Sequence, residues 1–100
     1  MIKHIVMWNV KGESASEKQA GALTIKRLFE ALHDQIPGLL RIEVGLDSSA
    51  ASYACDVVLY CEFEDLAALR VYAEHPAHRR VRDAIGDMRT ARYQVDYAVD

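Results

Sequence analysis

The sequence predicts an α+β fold of the ferredoxin-like βαββαβ type, and three observations lead there. Residues 2–10, 40–46, 56–63 and 90–99 carry the short alternating or two-sided apolar runs of strands. Helical periodicity fills the spaces between the first and second runs and between the third and fourth. The chain has 100 residues, which is one domain spanning 1–100. Right-handed crossovers turn this order into a four-stranded antiparallel sheet with the helices on one face.

Each element has its own signal. In the first strand Ile2, His4, Val6, Trp8 and Val10 fall on one side, with Ile5 and Met7 on the other. Ser14 with Glu17, or Ser16 with Gln19, can open the first helix as a capping box. Ile25, Leu28, Phe29, Leu32 and Ile36 then recur at helical spacing until Pro37-Gly38 stops them. Leu40, Ile42, Val44 and Leu46 alternate with Arg41, Glu43 and Gly45 as a half-buried strand. Asp47 to Ser52 is a loop of small residues, expected to be mobile and able to cover a cavity. Asp56 to Phe63 follows as a strand rich in Val, Leu, Tyr and Phe. Asp65 is placed to cap a short helix carrying Leu66, Leu69, Tyr72 and Ala73. His75 precedes a proline and should leave helical geometry, and Pro76 suits the first turn of a further helix packing Val81, Ala84, Ile85 and Met88. The last strand should carry Tyr93, Val95, Tyr97 and Val99 on one side.

Composition excludes several classes. Hydrophobic residues make up 51% and charged residues 27%, the balance of a folded domain. The net charge of −3 and a pI near 5.8 lack the basic footprint of a nucleic-acid binder. No apolar run approaches the roughly 20 residues that cross a bilayer, so no membrane partner is expected. The opening Met1 to Trp8 has no small-residue cleavage site, and a cytoplasmic setting is expected. Cys55 and Cys61 fall in one extended segment. Six residues at about 3.3 Å each separate them by roughly 20 Å, too far for a disulfide. They are expected to be reduced thiols serving as small hydrophobes.

Helices cover only one face of such a sheet. Placing Ile5, Met7, Val57, Leu59, Cys61, Tyr93, Val95 and Tyr97 under the helices leaves His4, Val6, Trp8, Val58, Tyr60 and Glu62 on the other face, with Arg92, Gln94 and Asp96. That face is too apolar for water and too polar for a dry core. A twofold homodimer packed through these faces satisfies both demands, either enclosing a part-polar cavity in each subunit or forming a dry interface.

A family likeness rests on Ile2 to Trp8, Ile36-Pro37-Gly38-Leu39, Asp56 to Tyr60, Tyr72-Ala73-Glu74-His75-Pro76-Ala77-His78 and Val95-Asp96-Tyr97. Over nearly its whole length the chain resembles the stress-responsive A/B barrel family. The Tyr-x-x-His-Pro-x-His element together with the opening Lys-His is the most specific part. The resemblance implies a dimeric α/β barrel of ferredoxin-like subunits. It also implies, from a plant member that closes a linear polyketide by aldol chemistry without any cofactor, catalytic roles for Tyr72 and His78 and a pocket role for His4. Arg79 and Arg80 follow His78 here, where that enzyme has smaller or apolar residues, so its substrate is not carried over.

The chemistry of these side chains fits such roles. His78 can take a proton from a carbon beside carbonyls, and the helix dipole favours its neutral ring. Tyr72 can donate to a developing enolate oxygen. Against this, His78 taken alone reads more readily as a capping or packing histidine and Tyr72 as a half-buried aromatic. His75 is expected to cap or brace the helix break. His75 and His78 have a proline between them and no obvious third ligand, so no metal is expected. Arg79, Arg80, Arg82 and Arg89 lie among Asp83 and Asp87 and read as a self-compensated face, with Arg79 four residues before Asp83. In the other reading one arginine reaches the pocket mouth and selects anions.

The expected function is therefore binding of a small, part-apolar metabolite in a cavity between sheet and helices. His4, Val6, Trp8, Val58, Tyr60, His75 and Arg92 are the expected contacts. The alternative is a cofactor-independent aldol, cyclase or isomerase enzyme acting on a β-dicarbonyl, with His78 as base and Tyr72 as oxyanion stabiliser.

Overall fold

The chain runs β1 (Ile2–Val10), α1 (Ala15–Glu30), β2 (Leu39–Leu46), β3 (Val57–Phe63), α2 (Leu66–Glu74), α3 (Pro76–Ile85) and β4 (Arg89–Ala98). These come from a computed structural model that describes residues 1–100. The sheet order is β2-β3-β1-β4, and every pair is antiparallel. This is the ferredoxin-like arrangement, with its second helical region divided into α2 and α3.

Local chemistry sets the element ends. Ser14 Oγ accepts from the Glu17 N–H at 3.1 Å, and the Glu17 carboxylate accepts from the Glu13 N–H at 2.7 Å. Two donors at the α1 start are thereby satisfied reciprocally. The apolar spacing suggested a helix running to Pro37, but the regular helix ends at Glu30. There the Glu30 carboxylate accepts from the Val44 N–H at 3.0 Å and from Lys26 Nζ at 2.8 Å, which ties the helix end to β2. Beyond it the N–H groups of Leu32, His33 and Gln35 reach back three residues rather than four. Leu32 and Ile36 are still buried, so the periodicity reported their packing and not the helix boundary. Gly38 then turns the chain at φ +79°, where a Cβ would stand 2.5 Å from the Ala68 Cβ.

β1 occupies the centre of the sheet, and its register decides which residues the helices cover. His4, Val6 and Trp8 pair with Cys61, Leu59 and Val57 on one side and with Asp96, Gln94 and Arg92 on the other. Directly opposed residues share a face. His4, Val6 and Trp8 therefore lie under the helices with Val57, Leu59, Cys61 and Phe63, and all seven are buried. Arg92, Gln94 and Asp96 face the same way. This corrects the sequence-based placement, which put His4, Val6, Trp8 and Arg92 on the far face and Ile5, Met7, Tyr93, Val95 and Tyr97 beneath the helices. Both parities of β1 are apolar, so alternation carried no sign there. A shift of one residue inverts a whole strand. β3 was oriented correctly, so Val58, Tyr60 and Glu62 do lie on the far face.

Two smaller corrections follow. The register between β2 and β3 shifts between Leu39 and Arg41. This bulge turns Leu40 out to 50% exposure while Leu39, Ile42 and Val44 are buried. On α3 the buried residues are Ala77, Val81 and Ile85, at four-residue spacing, and Ala84 is exposed. Cys55 is half-buried before β3 and Cys61 is buried, and both are free thiols.

The core lies between the sheet and the helices, with Ile25, Phe29 and Leu32 meeting Trp8, Leu59 and Phe63. α1 packs over β2 and β1, and α2 touches β1, β2 and β3. β4 lies at the sheet edge, and Arg92, Gln94 and Asp96 stay exposed on the side facing the helices. On the far face Met7, Tyr93, Val95 and Tyr97 are all 40% exposed or more. Ile5, Val58 and Tyr60 join them as an apolar surface.

Asp65 caps α2, accepting from the Ala68 N–H at 2.8 Å. Asp65→Ala is expected to lower stability by about 1 kcal/mol. Asp83→Ala, on the exposed side of α3, should stay within about 0.5 kcal/mol of wild type. Urea unfolding at one fixed protein concentration checks both.

Candidate functional site

Between α2, α3 and the β1–β4 half of the sheet lies a cavity of about 420 Å³. Its walls include His4, Val6 and Trp8 from β1, Tyr72 from α2, His78 from α3 and Arg92 from β4. The covering helices stop short of β4, which leaves the space open along that edge.

The break between α2 and α3 positions the two residues from the Tyr-x-x-His-Pro-x-His element. His75 is extended at φ −65°, ψ 136°, and its Nδ1 accepts from the Ala77 N–H at 3.0 Å. Pro76 opens α3 without needing a donor of its own. His75 is thus a helix cap that does not line the cavity. Across this kink the Tyr72 and His78 rings meet at 4.2 Å between centroids, tilted by 38°.

His78 is half-buried, and its Nδ1 stands 3.4 Å from the Ala73 carbonyl oxygen. With Nδ1–H donating there, Nε2 is left as the acceptor. Burial pushes the imidazole down to about 4, against the pull of the Ala73 carbonyl, with Arg82, His4 and Arg89 lowering it further. His78 is therefore neutral at pH 7. Burial raises the Tyr72 hydroxyl well above the usual phenol range, with a further contribution from Cys61, while Arg89, Arg92 and Arg82 oppose it. Tyr72 is a protonated donor, and its buried hydroxyl has no hydrogen-bond partner.

His4 is held from the other side. It is 5% exposed, and its Nδ1 lies 2.5 Å from Asp96 Oδ1 on the paired residue of β4. Nδ1–H donates to the carboxylate, which fixes the ring's orientation. The ring meets Tyr72 edge-on at 5.9 Å. Trp8 stacks on Phe29 at 5.2 Å, and the Arg89 guanidinium lies 4.8 Å from the centre of its ring. Its buried Nε1–H also has no partner.

Of the residues expected from the sequence, His4, Val6, Trp8, Tyr72, His78 and Arg92 come together. Val58 and Tyr60 do not. They lie on the far face of β3, where the Tyr60 hydroxyl donates to Glu62 at 2.5 Å. The expected self-compensation of the basic run also fails. Arg79 pairs with Glu74 at 2.6 Å rather than with Asp83, and Asp87 pairs with Lys11 at 2.7 Å. Sequence reasoning missed Asp96, whose only signal was its pairing with His4, and Arg82 and Arg89 line the cavity as the alternative reading of the basic run had it. Cys61 is buried, and its thiol is pushed up to about 12 by burial and by Asp96, which makes it a poor nucleophile. No group of three or more His, Cys, Asp or Glu side chains stands close enough to hold a metal ion.

The low basicity of His78 sets a pH dependence. An unfolded histidine takes its proton near pH 6.5, whereas folded His78 does so at about 4. The unfolded state binds more protons between these values, so stability is complete above about pH 6.5 and falls as pH drops toward 4. Ring NMR titration should find the His78 midpoint near 4, and His78→Phe should flatten this part of the stability–pH curve.

Comparison with known proteins agrees with this architecture. The description "Stress Responsive A/B Barrel Domain" matches residues 2–99. A dimeric protein of unknown function and ferredoxin-like fold from Bacteroides fragilis shares 30% identity, over 98% of this chain and 95% of that one, at a TM-score of 0.86. A dimeric ferredoxin-like protein of unknown function from Jannaschia shares 25% identity over 98% of both chains, at a TM-score of 0.76. A hydroxynitrile lyase from Passiflora edulis, at 14% identity over 99% of this chain and 93% of that one with a TM-score of 0.80, shares the fold alone. A search of curated protein sequences finds no significant match. With the match running across residues 2–99, the chain belongs to the stress responsive A/B barrel domain family.

Proposed function

We propose that this chain acts as a homodimer that binds a small, part-apolar metabolite in the cavity between its sheet and the α2–α3 pair. The observation that carries this reading is the cavity itself, whose wall combines apolar Val6, Phe29 and Leu59 with polar His4, His78 and Arg92. The cavity, about 420 Å³, is within the usual range for small ligands. The apolar far face of the sheet, with Met7, Tyr93, Val95 and Tyr97 in water, supports dimerisation through that face. So does the dimeric state of the Bacteroides fragilis and Jannaschia proteins.

A second reading rests on the Tyr72–His78 pair. His78 Nε2 is free to take a proton from a carbon between two carbonyls, and Tyr72 is a donor for the enolate oxygen that forms. That arrangement suits a cofactor-independent aldol, cyclase or isomerase reaction on a β-dicarbonyl. A base that titrates at about 4 has little driving force at neutral pH, which ranks binding ahead of catalysis.

Light scattering at micromolar concentration should give a dimer, and a monomer would sink that part of the proposal. In a thermal-shift panel of β-keto acids, aromatic acids and lactones, a bound ligand should raise the melting temperature. Tyr72→Phe, which removes a buried hydroxyl without a partner, should leave the unliganded protein at least as stable as wild type, and His78→Ala, at the half-buried wall of the cavity, should weaken that ligand about tenfold. Undiminished binding by His78→Ala would remove His78 from the site. Turnover of a β-dicarbonyl that is lost in His78→Ala would establish the second reading, and binding without turnover would leave the first alone.

A further inference from the structure

The charge around the cavity runs against the charge of the protein. The chain carries a net −3, yet Arg70, Arg82, Arg89 and Arg92 all line this cavity. Two carboxylates line it as well, and both are engaged. Glu74 pairs with Arg79 at 2.6 Å, and Asp96 takes His4 Nδ1 at 2.5 Å and Gln94 Nε2 at 2.9 Å. None of the four arginines has a carboxylate within 4.0 Å. Arg89 is half-buried against the Trp8 ring at 4.8 Å, so this guanidinium is held in place and partly stripped of water. Its proton affinity is lowered by burial first and then by Arg92, with Arg82 adding to the effect, so the three like charges feel one another. The same three arginines act on the Tyr72 hydroxyl. Mutual repulsion of this kind is relieved by an anion, and guanidinium groups match the oxygens of carboxylates and phosphates.

We infer that the cavity selects an organic anion, with its oxyanion head held by Arg82, Arg89 and Arg92 and its apolar body laid against Val6, Phe29 and Leu59. The inference rests on the proposal that this cavity binds a small molecule, and adds the class of that molecule. Carboxylate and phosphate-ester heads share the chemistry that these arginines recognise.

Matched probes test it on the full-length protein by calorimetry at low salt. Benzoate is set against benzamide, phenylacetate against phenylacetamide, and phenyl phosphate against phenol. Each anion is expected to bind about tenfold or more tightly than its neutral match. The tighter of phenyl phosphate and the two carboxylates identifies the head group. Arg82→Gln and Arg92→Gln, both at exposed positions, should each weaken the anions about tenfold and leave the neutral probes unchanged. Arg89→Gln should do the same, with circular dichroism checking its fold because it packs on Trp8. Equal binding of anion and neutral probe, or anion binding that all three variants leave intact, overturns this inference while the cavity still binds ligands. If no probe of either kind binds, the inference and the small-molecule reading both fall.

Discussion

The register of β1 between β3 and β4 is the constraint on which the rest of this molecule depends. It puts His4 opposite both Cys61 and Asp96, and Trp8 opposite both Val57 and Arg92. One side of each pair brings an apolar wall, and the other brings charge. A cavity bounded by Leu59 and Val6 as well as by Arg92 and Asp96 exists because the central strand joins a buried neighbour to an exposed edge. A slip of one residue would send His4 and Trp8 to the far face and bring Lys3 and Met7 beneath the helices.

The second constraint is the break at His75–Pro76. A continuous helix from Leu66 to Ile85 would place residues 72 and 78 more than one and a half turns apart on differing sides. The extended backbone at His75 resets the helix direction, and the His75 ring meets the orphan donor at the start of α3. Tyr72 and His78 consequently touch. Burial keeps His78 neutral and Tyr72 protonated.

Much of this was legible in the residues. The capping at Ser14 and Asp65, the helix break and the strand–helix order all follow from neighbours a few positions apart, and the Tyr72–His78 pair came with the family resemblance. The end of α1 and the bulge at Leu40 were not legible, because Glu30 is tied to Val44 and Leu39 is matched to Phe63 across the fold. Asp96 carried no local mark of its role, since its partner His4 lies 92 positions away. Arg82 and Arg89 sat near aspartates in sequence, but those aspartates turn to other partners or to solvent.

The sequence by itself determined the βαββαβ order, the helix caps and the break, because hydrophobic period, capping chemistry and proline geometry act over a few residues. Only the tertiary structure decided which face of β1 is covered and which arginines stand without a carboxylate. Strand register and charge pairing are set by contacts between distant segments, and the apolar pattern of β1 is the same whichever way it turns.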